Sequence, residues 1–129
     1  MIDLNYLPRL PKDKSPGIGC IGAGFIMADC HLVAYRKAGF NPVAITSRNL
    51  EHANAVAQQH QIARVHRKID ELLADPAIEI LDVAVPPDMQ ADVLRKAAEH
   101  GGHLRGILAQ KPLAMSVADA KDVVARCGE

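Results

Sequence analysis

Residues 17–27 read Gly-Ile-Gly-Cys-Ile-Gly-Ala-Gly-Phe-Ile-Met, and this stretch decides the fold. It is a short apolar run that enters a glycine turn, and an amphipathic segment follows it to about Ala38. A strand, a glycine turn and a helix in this order are typical of a phosphate-binding βα unit. Gly22 allows the tight turn, and Gly24 lets a pyrophosphate approach the backbone amides at the start of the helix.

Met27 departs from this pattern, because it occupies the place of a third glycine. That glycine permits close packing of the helix on the strand. The glycine turn alone is a weak signal, since such turns after strands often only reverse the chain. The residues at the other strand ends must therefore indicate whether the turn binds a nucleotide.

The composition fits one domain of ordinary size and excludes several classes of function. The 129 residues are 49% hydrophobic, with 15 basic and 15 acidic side chains, so the charge gives no support to binding of nucleic acid or a membrane surface. No apolar run approaches the ~20 residues of a membrane span. The three cysteines match no metal spacing, and a reducing cytoplasm is expected. Each of Cys20, Cys30 and Cys127 is predicted to be a small core residue.

Regular alternation of strands and helices begins at Gly17. Residues 1–16 carry three prolines among basic side chains and predict an extended N-terminal arm. Residues 17–129 predict a Rossmann-like three-layer αβα sandwich, with a doubly wound parallel sheet of strand order 3-2-1-4-5. The predicted strands are 17–21, 43–46, 64–66, 80–85 and 106–110.

Periodicity and end signals define the first and last helices. In the first helix, Ile26, Cys30, Val33 and Lys37 recur at helical spacing, and Gly39 ends the helix. The last helix begins at a Ser116 cap. Its predicted apolar face consists of Val117, Ala120, Val124 and Cys127.

The end of the second strand indicates which cofactor is favoured. In such a sheet, ligands bind at the carboxyl ends of the strands. Ser47 lies 25 residues past Gly22, near the place where a carboxylate would hold a ribose diol, but positions 46–48 carry no carboxylate. Ser47 and Arg48 could instead bind a 2′-phosphate, which favours NADP over NAD. The alternative for Arg48 is a solvated loop cation.

Four motifs occur in a characteristic order and spacing. They are Gly19-x-x-Gly22-x-Gly24, Thr46-Ser47-Arg48, Ala84-Val85-Pro86-Pro87-Asp88 and Gln110-Lys111-Pro112-Leu113-Ala114. Together they resemble the N-terminal cofactor domain of the Gfo/Idh/MocA oxidoreductase family, over about residues 17–127. The two later motifs make this resemblance much more specific than the glycine turn.

The resemblance implies a nicotinamide cofactor and hydride transfer at a carbon that bears a hydroxyl, usually on a sugar or polyol. Lys111 matches the catalytic lysine of the family's Glu-Lys-Pro signature, and a buried ammonium there could polarise a reacting hydroxyl. The histidines and cysteines show no metal-ligand spacing, so no metal site is predicted, and homo-oligomers are possible. The implied cofactor contacts are Gly22, Gly24, Phe25, Ile26, Ser47, Arg48, Val85, Pro86, Pro87, Gln110, Lys111 and Pro112.

The chain also departs from the family pattern. Gln110 replaces the acidic residue, and Gln90 stands where many relatives carry a histidine. The second α/β domain of the family, which supplies most of the substrate pocket and a catalytic histidine, is expected to be absent. None of the six histidines is a convincing replacement, and His31 is expected to be a packed or surface residue of the first helix.

Two main functions and one weaker alternative therefore stay open. The first is the cofactor domain of an NAD(P)-dependent sugar or polyol oxidoreductase. The second is a non-catalytic nucleotide-binding or assembly module that associates with partner chains, because strand five would leave a sheet edge with Ile107 and Leu108 available for pairing. A third and weaker alternative is an S-adenosylmethionine site, which would usually show an acid at the end of strand two.

Overall fold

The computed structural model describes residues 6–128, and five strands alternate there with helices. The strands are β1 (Gly17–Ile21), β2 (Asn41–Thr46), β3 (Arg64–His66), β4 (Ile80–Val83) and β5 (Gly106–Ala109). A π-helical segment (Ile26–His31) leads into α1 (Leu32–Ala38), and the other helices are α2 (Leu50–Gln59), α3 (Ile69–Leu73), α4 (Pro87–His100) and α5 (Val117–Cys127).

The strands form one parallel sheet in the order β3-β2-β1-β4-β5, which confirms the predicted Rossmann-like fold. Every residue of the central strand β1 is buried, as expected where helices cover both faces of a parallel sheet. β4 ends at Val83, two residues before the predicted end. The Ala84 amide still donates to the carbonyl of Ile21, but Pro86 has no amide hydrogen and cannot continue this ladder.

The first helix buries a different face from the one that its sequence spacing suggests. Met27, Ala28 and Leu32 are buried, whereas Cys30 and Val33 are exposed. The helix starts with π-type turns, whose i→i+5 bonds place one more residue in each turn and rotate the following side chains. The wide turn coincides with Met27, so this large side chain is buried where a glycine was expected.

The prediction of the apolar face of α5 is also wrong. Only Val123 is buried, while Val117, Val124 and Cys127 are exposed. Within residues 6–128, no strand pairs with the outer edge of β5. The face of α5 that points beyond this edge therefore has no sheet to pack against. The N-terminal cap is confirmed, because the hydroxyl of Ser116 accepts a hydrogen bond from the backbone amide of Asp119.

The exposed positions on these helices also correct the prediction about cysteines. Cys20 lies in the core on β1, but Cys30 and Cys127 are exposed. Burial of a free thiol depends on its place on the helix, and both helices present these positions to solvent. Burial also raises the pKa of Cys20, so its thiol stays protonated.

The N-terminal arm meets the domain near the start of β2. Residues 6–16 form no helix or strand, and residues 1–5 of the predicted arm lie outside the described part of the chain. The ammonium of Lys14 donates to the carbonyl of Ala38, and the Asn41 side chain donates to the carbonyl of Ser15. None of the helices from residue 6 to residue 128 is long and apolar enough to cross a membrane.

Candidate functional site

A cleft of about 520 Å³ opens at the carboxyl edge of the sheet, where the strand order reverses between β1 and β4. The ends of β1, β2 and β4 and the loop after β3 form its walls. Six predicted site residues line this cleft, namely Gly22, Gly24, Ser47, Arg48, Val85 and Pro86. The other predicted site residues, Phe25, Ile26, Pro87, Gln110, Lys111 and Pro112, lie outside its lining.

The glycine turn at the end of β1 is held tightly on one side and open on the other. Gly22 has a φ of +108°, and its amide donates to the carbonyl of Thr46 at 2.8 Å. A Cβ atom at Gly22 would overlap the carbonyl oxygen of Ala84. Gly24 is exposed, and a Cβ there would meet nothing within 4 Å. The turn therefore leaves open space in front of Gly24, which fits the close approach of a pyrophosphate.

The end of β2 supplies polar and cationic groups to the cleft. Ser47 and Arg48 follow β2 directly, and the Asn49 side chain caps α2 by accepting from the backbone amide of His52 at 2.9 Å. Among the residues from 6 to 128 that line the cleft, Asp70 carries the one carboxylate, and it forms an ion pair with Lys96. No acidic side chain therefore stands at the end of β2 to repel a phosphate.

Phe25, Ile26 and Pro87 lie beside the cleft rather than in it. Phe25 precedes the π-helical segment and is 69% exposed, and Ile26 is 43% exposed. Pro87 is the first residue of α4, where proline is favoured because its missing amide hydrogen is not needed. The amide of Met89 donates to the carbonyl of Pro86 at 3.0 Å and fixes this entry to the helix.

Gln90 holds the turn that contains Lys111. The Gln90 side chain is 1% exposed, and its amide nitrogen donates to the carbonyls of Gln110, Pro112 and Leu113. The Lys111–Pro112 peptide bond is cis. The sequence predictions do not include this support, since Gln90 is recognised there only as a departure from a histidine.

A detectable signal for the burial of Gln90 was present in the sequence. Its spacing to Val93, Leu94 and Ala97 places Gln90 on the buried face of α4. A buried amide requires hydrogen-bond partners, and the carbonyls of a neighbouring turn provide them.

A second buried polar cluster joins the first helix to the same turn. Asp82 on β4 is 1% exposed, and its Oδ2 accepts from the Tyr35 hydroxyl at 2.5 Å and lies 2.8 Å from Nδ1 of His31. The other ring nitrogen of His31 lies 2.8 Å from the amide nitrogen of Gln110. Both contacts are satisfied when His31 is neutral and carries its proton on Nδ1, so that Nε2 accepts from Gln110.

This cluster gives His31 a connecting role that the sequence did not reveal. Burial and the contact with Asp82 raise the pKa of Tyr35, so its hydroxyl remains a donor. Two signals were present in the sequence: an aspartate inside an otherwise apolar strand, and a polar pair, His31 and Tyr35, at i, i+4 spacing.

The predicted catalytic lysine is exposed. Lys111 projects from the turn after β5, so the described residues do not provide the buried environment expected for its ammonium. Among residues 6–128, no group of three or more histidine, cysteine, aspartate or glutamate side chains is arranged to hold a metal ion.

The strand order, the glycine turn and the cleft at the switch point together define a Rossmann-type nucleotide-binding domain. Residues 17–129 match the family model described as the oxidoreductase family with an NAD-binding Rossmann fold. The chain therefore belongs to the Gfo/Idh/MocA oxidoreductase family, which confirms the resemblance seen in its motifs.

Several relatives share this domain. An uncharacterized oxidoreductase of Rhizobium meliloti is 35% identical over 107 residues, which cover 82% of this chain and 31% of the relative. D-xylose 1-dehydrogenase (NADP(+)) 2 of Haloferax volcanii is 29% identical over 109 residues, which cover 84% of this chain and 33% of that protein. A solved structure of levoglucosan dehydrogenase with NADH and levoglucosan has a TM-score of 0.77 at 27% identity. The match covers 88% of this chain and 32% of that protein. The chain thus spans about a third of the length of each.

Proposed function

We propose that this chain is the NAD(P)-binding domain of an oxidoreductase that transfers a hydride between a nicotinamide cofactor and a hydroxyl or carbonyl of a sugar or polyol. The main support is the cleft at the switch point, which combines open space at Gly24 with a β2 end that lacks a carboxylate. The names of the relatives, a xylose dehydrogenase and a levoglucosan dehydrogenase, support the substrate class.

The residues that line the cleft include groups suited to each part of a dinucleotide. The amides after Gly22 and Gly24 would bind the pyrophosphate, and Ser47 and Arg48 would bind the adenosine ribose. Val85 and Pro86 would border the nicotinamide half. When bound, the nicotinamide ring supplies the hydride acceptor or donor.

Lys111 is the residue of this chain that we propose to contact the reacting oxygen. Its ammonium can donate a hydrogen bond to a hydroxyl or carbonyl oxygen and stabilise negative charge that develops there. Because Lys111 is exposed, its desolvation has to come from the substrate or from protein that covers this edge. Gln90 contributes by fixing the carbonyls on either side of Lys111.

We further propose a preference for NADP(H) over NAD(H), and replacing Ser47 with aspartate tests it. The new carboxylate would repel a 2′-phosphate but could accept hydrogen bonds from a ribose diol. With a charge-assisted contact worth about 1.5–3 kcal/mol, the NADPH/NADH affinity ratio should fall by at least tenfold. Fluorescence titration of both reduced cofactors measures this ratio.

The control is Ser15→Asp, which makes the same change in the N-terminal arm, away from the cleft. It should leave the NADPH/NADH ratio unchanged. If the unaltered chain shows no saturable binding of either cofactor up to millimolar concentration, the proposed function is wrong. An unchanged ratio in Ser47→Asp would contradict only the cofactor preference.

A second candidate function, an assembly module, is favoured by the open edge of β5. Leu108 on this edge is 54% exposed, and a second cleft of about 600 Å³ lies between β5, α4 and α5. An unpaired parallel edge strand is a template for pairing with another chain. This candidate predicts that the mass measured by light scattering rises with concentration and that Leu108→Lys abolishes the rise. A constant monomer mass would contradict it.

A further inference from the structure

The part of the cleft formed by the neighbouring ends of β2 and β3 is rich in cationic side chains. Arg67 and Lys68, in the loop between β3 and α3, line the cleft together with Arg48. In the part of the chain that the structure describes, no carboxylate oxygen lies within 4 Å of these three cationic groups. The chain carries equal numbers of basic and acidic residues, so this local excess is not a consequence of its overall charge.

The basic side chains of β3, together with Lys96 on α4, contact carboxylates, which sets Arg67 and Lys68 apart from them. Arg64 and His66 on β3 both contact the carboxylate of Asp75, at 2.9 and 3.0 Å. Lys96, which also lines the cleft, contacts Asp70 at 3.1 Å. The two cations that immediately follow β3 are thus left available for an anion from outside the chain.

The backbone of this loop is fixed by a carboxylate that does not neutralise its side chains. One oxygen of Glu71 accepts hydrogen bonds from the backbone amides of Arg67 and Lys68, at 2.9 and 3.3 Å. Within residues 6–128, no Glu71 oxygen lies within 4 Å of the charged group of Arg67 or Lys68. Both side chains therefore start from a fixed backbone position at the rim of the cleft, which lowers the entropy cost of binding.

We propose that Arg67 and Lys68 determine cofactor specificity by binding the 2′-phosphate of NADP(H) from the loop after β3, which lies beside the β2 end that carries Arg48. This inference rests on the proposed function and adds residues from a different strand end to the cofactor site. A phosphate monoester carries a charge of about −1.5 to −2 at pH 7 and offers three acceptor oxygens. The planar guanidinium of Arg67 suits two of these oxygens, and the ammonium of Lys68 adds a point charge. NAD(H) lacks this phosphate and would leave both side chains unused.

The double substitution Arg67→Ala/Lys68→Ala tests the proposal by calorimetric titration with NADP⁺ and NAD⁺. The dissociation constant for NADP⁺ should rise by about tenfold or more, as expected for loss of charge-assisted contacts, while that for NAD⁺ changes by less than about twofold. The control, Lys37→Ala, removes an exposed cation on α1 and should change neither constant. Arg67→Glu should lower NADP⁺ affinity further, because it places a carboxylate beside the phosphate.

The outcomes separate this proposal from the one on which it rests. Equal losses of NADP⁺ and NAD⁺ affinity, or an unchanged NADP⁺ affinity, would overturn the role of Arg67 and Lys68 while leaving the dinucleotide site intact. Failure of the unaltered chain to bind either dinucleotide would instead overturn the proposed function. Thermal melting of each variant distinguishes a specific loss from unfolding, since both substituted residues are exposed.

Discussion

Replacing Gly22 with alanine is expected to destabilise the domain by about 3 kcal/mol or more. Gly22 adopts a φ of +108°, a region that L-residues with a side chain rarely occupy. A Cβ atom would also overlap the carbonyl oxygen of Ala84, which belongs to the backbone and cannot rotate away. The two penalties act together, because relieving the overlap requires moving the end of β4. Urea unfolding measures the loss in the free energy of unfolding.

Gly24→Ala is the matched control, and it should separate stability from binding. A Cβ at Gly24 meets nothing within 4 Å, so the free energy of unfolding should change by less than about 0.5 kcal/mol. The added methyl group would nevertheless occupy the open space through which a pyrophosphate reaches the backbone. We therefore expect a folded protein that has lost most of its affinity for NADPH.

Either of two results would contradict this interpretation. Full NADPH affinity in Gly24→Ala would show that the phosphates bind elsewhere. Native stability in Gly22→Ala would show that the turn can relax at little cost, so that the glycine pattern carries no structural constraint.

Much of the fold could be predicted because its signals are local. The glycine turn, the Ser116 cap and the buried runs of β1 and β4 each depend on a few adjacent residues, and the strand order follows from the alternation of elements. The buried faces of the first and last helices could not be predicted in this way. The first depends on a π-helical phase shift at Met27, and the last depends on which sheet edge is covered.

The candidate site shows the same difference between residues with local signals and residues that depend on long-range contacts. Gly22, Gly24, Ser47 and Arg48 line the cleft as expected from their positions at strand ends, although their roles in binding stay predictions. The contacts of Gln90 with the 110–113 turn join residues about twenty positions apart, and those of His31 span still longer separations. Such pairs cannot be read from sequence spacing, because only tertiary packing brings them together.

Gln90→Glu should show how strongly this long-range support matters. The substitution keeps the shape of the side chain but replaces its donor with a carboxylate that faces the carbonyl oxygens of residues 110, 112 and 113. These contacts would become repulsive in a site that is 1% exposed. We expect a loss of about 3 kcal/mol at pH 7, and a weaker affinity for NADPH because the Lys111 turn shifts.

The control for charge and helix propensity is Gln58→Glu. Gln58 is exposed in the last turn of α2, where a carboxylate opposes the helix dipole, so this variant should lose no more than about 1 kcal/mol in the free energy of unfolding. A large loss in Gln58→Glu would point to a general effect of added negative charge rather than to the buried contacts of Gln90.

The pH dependence of Gln90→Glu provides the sharpest test. Burial and the facing carbonyls favour the protonated form of the introduced carboxyl, so its pKa in the folded state lies above the unfolded value of about 4.3. The folded variant then binds more protons than the unfolded chain, and its stability relative to Gln90 falls as pH rises. Urea unfolding at pH 4.5 should therefore show a smaller penalty than at pH 7.5, since a protonated carboxyl can still donate to one carbonyl. A penalty that is equal at both pH values would mean that the carboxylate has turned to solvent and that Gln90 does not hold the Lys111 turn.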